Sequence, residues 1–235
     1  RKYILRQEYN CTVNEKIFYG YDTGKPFELI PETLYQFDDE FQKITLGLKW
    51  LHNSIKHCPY DDYKIAMHAV DIFQESINSK RRLNCRNMAL VLNAVYLNLN
   101  LKSRYIICLQ KEEIVENCHF VVEVYIQKWN KWILVDSSYG LLFKNMNHEY
   151  LSLSEVRLYI ASNRIIEIET VCGKINKELY WHNYIKKIYR FRRPRISNDQ
   201  YDLESQFVDL VPKIERTDNN LQYRIIDNPE LFWTD

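Results

Sequence analysis

The run from Cys85 to Leu99 constrains the fold most, because its apolar residues recur at intervals of four, three and four. This spacing is typical of a buried helix. A helix with such an apolar face needs a second layer of structure to pack against. The recurring positions are Met88, Leu92, Val95 and Leu99.

Other segments of the chain predict what that second layer is. Upstream, Phe37 to Ile55 shows the clearest amphipathic helical repeat, again at intervals of four and three. Downstream, His119 to Ile126 and Trp132 to Asp136 are β-branched and aromatic runs of strand type. A further helix is expected near Lys174 to Tyr189. We therefore predict an α+β protein in which a helical layer packs on an antiparallel sheet.

Cys85 stands at the start of the predicted buried helix. There the free backbone N–H groups and the positive end of the helix dipole favour thiolate over thiol, which lowers the pKa of a cysteine and makes it more nucleophilic. The same N–H groups are suited to hold an oxyanion. A buried structural thiol is the alternative for Cys85 taken alone.

His119 and Asp136 are expected on one face of the sheet. Side chains alternate along a strand, and a hairpin loop of even length puts these two residues on the same side. A two-residue turn at Gln127-Lys128 would place them directly opposite, about 5 Å apart. Asn130 is the more turn-like residue, which leaves the register open. The pair has the residue types of a catalytic base and its orienting carboxylate.

The stretch from Leu83 to Phe143 resembles the transglutaminase-like superfamily of papain-type cysteine enzymes. That family has a Cys on a helix, a His on a strand and an Asp on the next strand, in this order and spacing. Within that family, the stretch most resembles bacterial transglutaminase-like proteins of undefined substrate. The supporting matches are Ala89, Leu92, Ser103-Arg104-Tyr105 and the Trp132-x3-Asp136 pattern before Ser137.

The resemblance implies a papain-like fold, with Cys85 as nucleophile, His119 as base and Asp136 as orienter. The sequence departs from the family pattern at Asn84, Phe120 and Ser137-Ser138. None of these departures removes a reacting group, but they concern the substrate side of the site.

Two further residues are candidates for oxyanion or substrate contact. Asn84 precedes the nucleophile and could donate to an oxyanion, although capping of the helix is the plainer explanation. Trp132 could wall a substrate groove, although aromatic residues near a hairpin turn more often pack in pairs.

A zinc site and a disulfide are alternatives for the remaining cysteines. The zinc site would use Cys85, Cys108, Cys118 and His119, but the chain has no Cys-x2-Cys pair and neighbouring strand residues point to opposite faces. We therefore expect no metal and no other cofactor. Cys108 and Cys118 flank a short polar segment and could instead meet as a disulfide.

The composition of the chain limits the classes of partner that it can attract. The 235 residues carry 32 Lys+Arg and 31 Asp+Glu, a net charge of +1, so no global field recruits nucleic acid or an anionic membrane. A basic stretch from Lys186 to Arg195 is interpreted as a solvated helix end. No run is long and apolar enough to span a bilayer. The start at Arg1 leans towards an exported or cell-envelope protein, and oligomeric state stays open.

The chain is expected to form one transglutaminase-like domain over residues 1–235. Its parts would be a peripheral N-terminal arm at 1–35, a catalytic core at 36–145 and a C-terminal extension at 146–235. We predict a cysteine acyl-transfer enzyme that hydrolyses peptide or protein amide bonds through a thioester. The alternatives are a protein-glutamine transamidase or deamidase, and a catalytically silent module that binds peptide or glycan.

Overall fold

The computed structural model describes residues 27–59, 69–110, 118–185, 188–194, 207–210 and 224–226. The helices are α1 Glu40–Ser54, α2 Ala69–Ser79, α3 Cys85–Asn98, α4 Leu153–Ala161 and α5 Lys177–Asn183. The strands are β1 Lys102–Leu109, β2 His119–Ile126, β3 Lys131–Asp136, β4 Leu141–Lys144, β5 Glu167–Thr170, β6 Arg190–Pro194, β7 Phe207–Leu210 and β8 Arg224–Ile226. The predicted α+β class is confirmed.

The strands form one sheet in the order β5-β4-β3-β2-β1-β6-β7-β8. Neighbouring strands are antiparallel except for the parallel pair β7 and β8. Strand β2 lies between β1 and β3, so its backbone is held by hydrogen bonds on both sides. This central position makes β2 a rigid support for the side chains that it carries.

Helices cover both faces of the sheet. Residues of α1, α2 and α3 form one core cluster with one face, and residues of α4 and α5 form a second cluster with the other. Adjacent residues of β1 show the division, because Ile106 belongs to the second cluster and Ile107 to the first. Burial on both faces explains why the central strands are almost continuously apolar.

The close contact between α1 and α3 fixes where α3 lies. At Gly47 a Cβ atom would come within 3.1 Å of Cε1 of Tyr96, so a larger residue would force the two helices apart. The Tyr96 hydroxyl is buried and donates a hydrogen bond of 2.9 Å to the carbonyl of Ile44. Because this contact holds α3, it also determines the position of the helix start at Cys85.

The early helices begin and end close to the predicted positions. Asp39 caps α1 by accepting from the backbone N–H of Gln42 at 2.8 Å. Helix α2 ends at Ser79, and its predicted beginning lies outside the described residues. Most of the expected N-terminal arm, residues 1–26, lies outside them as well. The single-domain arrangement stays a prediction.

Two predictions for the C-terminal part were wrong. The helix expected to run from Lys174 to Tyr189 spans only Lys177–Asn183. The basic stretch is not a solvated helix end, because Arg190–Pro194 forms β6 and pairs with β1, and Arg190 is buried. The free edge of β1 offers hydrogen bonds to this segment, and an arginine can bury its aliphatic stem. Sequence periodicity could not reveal a pairing partner some 80 residues away.

Among the described residues, no helix combines the length and apolar character needed to cross a membrane.

Candidate active site

Cys85 is the first residue of α3, as predicted. Asn84 caps the helix, and its side-chain oxygen accepts from the backbone N–H of Asn87 at 3.0 Å. The first N–H groups of a helix have no partner within the helix, so the positive end of α3 is directed at the segment that carries the thiol. The Cys85 side chain is half-buried and packs against the first core cluster.

His119 and Asp136 lie together at the ends of β2 and β3. Nε2 of His119 is 2.7 Å from Oδ2 of Asp136, and both residues are buried. This contact occupies Nε2, which leaves Nδ1 of His119 for the hydrogen bond with the Cys85 thiol. The structure thus brings Cys85, His119 and Asp136 into one cluster.

The hairpin loop has an even number of residues, as expected, so His119 and Asp136 lie on the same face of the sheet. Tyr125 pairs with Trp132 and Ile126 with Lys131, so four residues, Gln127 to Asn130, connect β2 and β3. The register that the sequence left open is thus set by the longer loop and not by a two-residue turn at Gln127-Lys128, and Asn130, the more turn-like residue, adopts the left-handed conformation that closes the loop. His119 and Asp136 are therefore diagonal neighbours on one face, and the long imidazole bridges the offset.

Electrostatics favour a thiolate and an imidazolium. Burial by itself raises the pKa of Cys85, but the hydrogen bond and charge of His119 and the backbone N–H of Phe120 outweigh it and lower the pKa. Burial opposes a charged imidazole, yet the charge and hydrogen bond of Asp136 raise the pKa of His119 to about 10. Between these two pKa values the ion pair is the main form of the site.

Asp136 is held by more than His119. Its Oδ1 accepts from the backbone N–H groups of Ser138 and Tyr139 at 2.8 and 3.0 Å, and its Oδ2 accepts from the hydroxyl of Tyr180 at 2.5 Å. Burial would raise the pKa of Asp136, but the charge of His119 and these hydrogen bonds lower it. The carboxylate is consequently charged and fixed in orientation.

Tyr180→Phe is expected to destabilise the protein by about 1.5–3 kcal/mol near neutral pH, because a buried hydrogen bond to a charged group is lost. Asp136 has a lowered pKa in the folded state, so its charge contributes stability above the unfolded pKa of about 3.9 and this contribution is lost as pH falls. The difference in free energy of unfolding between Tyr180→Phe and wild type should therefore become smaller in acid. Urea unfolding at a series of pH values measures this difference.

Tyr159→Phe on α4 is the matched control and should leave the free energy of unfolding nearly unchanged. An equal stability of Tyr180→Phe and wild type at neutral pH would contradict the assigned hydrogen bond. So would a gap that widens as the pH falls.

Aromatic rings enclose the imidazole. The ring centroids of Tyr184 and His119 are 4.7 Å apart, and the Tyr139 hydroxyl donates to that of Tyr184 at 2.6 Å. Sequence analysis missed Tyr139, Tyr180 and Tyr184. The spacing of Tyr180 and Tyr184 by four residues indicates a shared helix face, but it does not reveal which surface that face meets.

The two candidates for oxyanion or substrate contact have other contacts. Asn84 is the helix cap, and its role as an oxyanion donor stays a prediction. Trp132 lies four residues before Asp136 along β3, about 13 Å away, and its ring packs on Tyr125 and on the Arg104 guanidinium. The structure does not place Trp132 at the cluster, because Trp132 lies at the opposite end of β3 from Asp136, against Arg104.

Glu123 lies on the His119 face of β2, and alternation along the strand alone predicts a solvated position for it. This prediction is wrong, because Glu123 is buried. It forms an ion pair with Arg104 at 2.7 Å and accepts from the backbone N–H of Leu153 at 2.7 Å. Helix α4 covers this face of the sheet, so the carboxylate serves as an internal anchor for the start of that helix.

The other cysteines that the structure describes are free thiols, so Cys108 and Cys118 form no disulfide. Burial raises the pKa of Cys118 to about 11, and burial raises that of Cys108 as well. Across the part of the chain that the structure describes, no three His, Cys, Asp or Glu side chains are grouped as a metal ion would require.

The fold combines helices with an antiparallel sheet, and the site brings a thiol, an imidazole and a carboxylate together. Residues 32–137 match the family model of the transglutaminase-like superfamily, so this segment is similar to that superfamily. The match contains Cys85, His119 and Asp136, whereas Tyr180 and Tyr184 lie beyond it.

Among solved structures, a provisionally assigned cysteine protease from Cytophaga hutchinsonii aligns with a TM-score of 0.38 and 14% identity. The alignment covers 64% of this chain and 52% of that one, so the chain spans about half of that protein's length. A comparison with curated proteins gave no match.

Proposed function

We propose that this protein is a cysteine acyl-transfer enzyme that hydrolyses peptide or protein amide bonds. The observation that carries the proposal is the 2.7 Å contact of His119 with Asp136 beside a thiol at a helix start. A structural cysteine would need neither a charged imidazole nor a helix start next to it. The lowered pKa of Cys85 agrees with a nucleophilic role.

In the proposed mechanism, His119 holds the proton that Cys85 gives up. The thiolate attacks the amide carbon, a carbon–sulfur bond forms, and the carbonyl electrons move to oxygen. When the intermediate collapses, the carbon–nitrogen bond breaks and the amine leaves with the proton from His119. His119 then takes a proton from water, and the resulting hydroxide attacks the thioester carbon. When this second intermediate collapses, the carbon–sulfur bond breaks, the acid leaves, and the Cys85 thiolate and the His119 imidazolium are restored.

Water is the proposed acyl acceptor. It is present at about 55 M, so transfer to an amine needs a specific amine site and a shielded thioester. Neither the sequence nor the described residues supply a recognisable amine site. The chain also has no calcium loop of the Asp-x-Asn-x-Asp-Gly type.

The test offers a library of glutamine-containing peptides with and without a fluorescent primary amine at millimolar concentration. We expect released ammonia or new N-termini and little incorporated label, and we expect Cys85→Ala to abolish both. Cys172→Ala, which removes a thiol outside the cluster, is the matched control and should retain activity.

Preferential incorporation of the label would mean that the enzyme catalyses transamidation and not hydrolysis, while the assignment of Cys85 as the nucleophile would stand. Absence of every product, with a reactive Cys85, would contradict the proposed substrate class. An unreactive Cys85 would favour the silent binding module.

A further inference from the structure

His57 lies beside the segment that leads into the nucleophile. It follows α1 in an extended stretch and forms a parallel bridge with Leu83. The backbone N–H of Cys58 donates to Leu83 at 2.9 Å, and that of Leu83 donates to Lys56 at 3.0 Å. The sequence alone predicts a helical position with an exposed or satisfied imidazole for His57. The structure corrects this, because the helix ends at Ser54 and His57 is tied to the chain two residues before Cys85.

The imidazole of His57 borders the candidate active site. Its ring packs edge-on against Tyr139, with centroids 5.0 Å apart, and the centroid of Tyr139 is 6.1 Å from that of His119. His57 and His119 thus both lie beside the same tyrosine ring.

Nε2 of His57 is buried and has no hydrogen-bond partner among the described residues. A buried polar atom without a partner is uncommon and calls for an explanation. A donor that waits for a substrate atom is such an explanation.

The imidazole of His57 is uncharged near neutral pH and can act as a neutral hydrogen-bond donor. Burial lowers the pKa of His57 to about 4, with smaller lowering contributions from His119 and His52 and against the raising effect of the Asp136 charge. The ring is therefore neutral at and above about pH 6. A neutral imidazole can donate one hydrogen bond to a developing negative charge and keep its proton.

We propose that His57 is a further catalytic residue, whose Nε2–H donates to the oxyanion formed when Cys85 attacks a carbonyl carbon. It would act together with the free N–H groups at the start of α3. His57 transfers no proton: the oxyanion forms from the carbonyl electrons, and it returns them when the amine leaves with the proton of His119. This inference rests on the proposed acyl-transfer function.

Two probes of the same thiol separate this role from a structural one. Acylation by p-nitrophenyl acetate passes through an oxyanion, whereas alkylation by iodoacetamide displaces iodide and forms none. For His57→Ala we expect acylation of Cys85 to slow by about 10²-fold. Alkylation should stay within about twofold of wild type, because it depends on the thiolate alone.

Two further variants complete the experiment. His57→Gln offers a neutral N–H, so its acylation rate should be at least about tenfold higher than that of His57→Ala. His182→Ala removes an exposed imidazole on α5 and should resemble wild type in both reactions. Both reactions are run at about pH 6, where only an activated thiol reacts quickly, so the rate of alkylation also reports whether the site is formed in each variant.

Equal acylation of wild type and His57→Ala would overturn the role of His57 and leave the proposed function intact. Equal losses of acylation and alkylation would overturn it too, as would a His57→Gln variant no better than His57→Ala. A wild-type protein that is alkylated at Cys85 but never acylated would overturn the proposed function and this inference with it.

Discussion

Asp136→Asn is expected to lower turnover by about 10³- to 10⁴-fold while the protein stays folded. The amide oxygen of Asn can still accept from the backbone N–H groups of Ser138 and Tyr139. Its NH₂ group then faces Nε2 of His119, which must become the acceptor. The imidazole proton consequently moves to Nδ1, where it faces the thiol, and His119 can no longer accept the proton of Cys85.

Turnover of the peptide library and circular dichroism measure this effect and the fold together. Asp39→Asn is the matched control, because it makes the same substitution at the cap of α1 and Asn caps helices about as well as Asp. Turnover of folded Asp136→Asn at the wild-type rate would remove Asp136 from the site.

His119→Gln is expected to reduce turnover by about 10²- to 10⁴-fold, the range attributed to a general base. The variant also tests the thiol directly. Without the hydrogen bond and charge of His119, the raising effect of burial on the pKa of Cys85 is opposed mainly by the Phe120 N–H. Alkylation of Cys85 near neutral pH should therefore slow and should require alkaline solution.

Mass spectrometry of peptides gives the rate at which Cys85 is alkylated at each pH. The pH dependence of this rate shows whether the pKa of the thiol has risen in His119→Gln. His182→Gln serves as the control because that imidazole is exposed on α5. An unchanged pH dependence in His119→Gln would mean that His119 does not set the state of the thiol.

Local patterns in the sequence were sufficient for the elements that carry the cluster. The helical repeat and a capping residue placed the start of α3 at Cys85. Alternation along β2 and β3 was enough to place His119 and Asp136 on one face. Both signals depend on residues that are close together in the chain, which is why they could be recognised without the fold.

The features that were missed depend on contacts between distant segments. The partner of Tyr180 is 44 residues away, and the strand bridge of His57 reaches Leu83 across 26 residues. Glu123 appeared solvent-facing because nothing near it in sequence indicates that α4 covers that face. The hairpin register stayed open at the sequence level because loop length depends on the backbone conformation of Asn130.

The central claim is that Cys85 is an activated nucleophile, and the pH dependence of its alkylation in the wild-type protein tests this most directly. We expect Cys85 to be labelled by iodoacetamide at about pH 6, ahead of the other cysteines, with a midpoint below the usual thiol range of about 8–9. Cys118 and Cys172, whose pKa values burial raises to about 11, should react only in strongly alkaline solution. Labelling of Cys85 with the same midpoint as the other cysteines, or no labelling of it at all, would contradict the account.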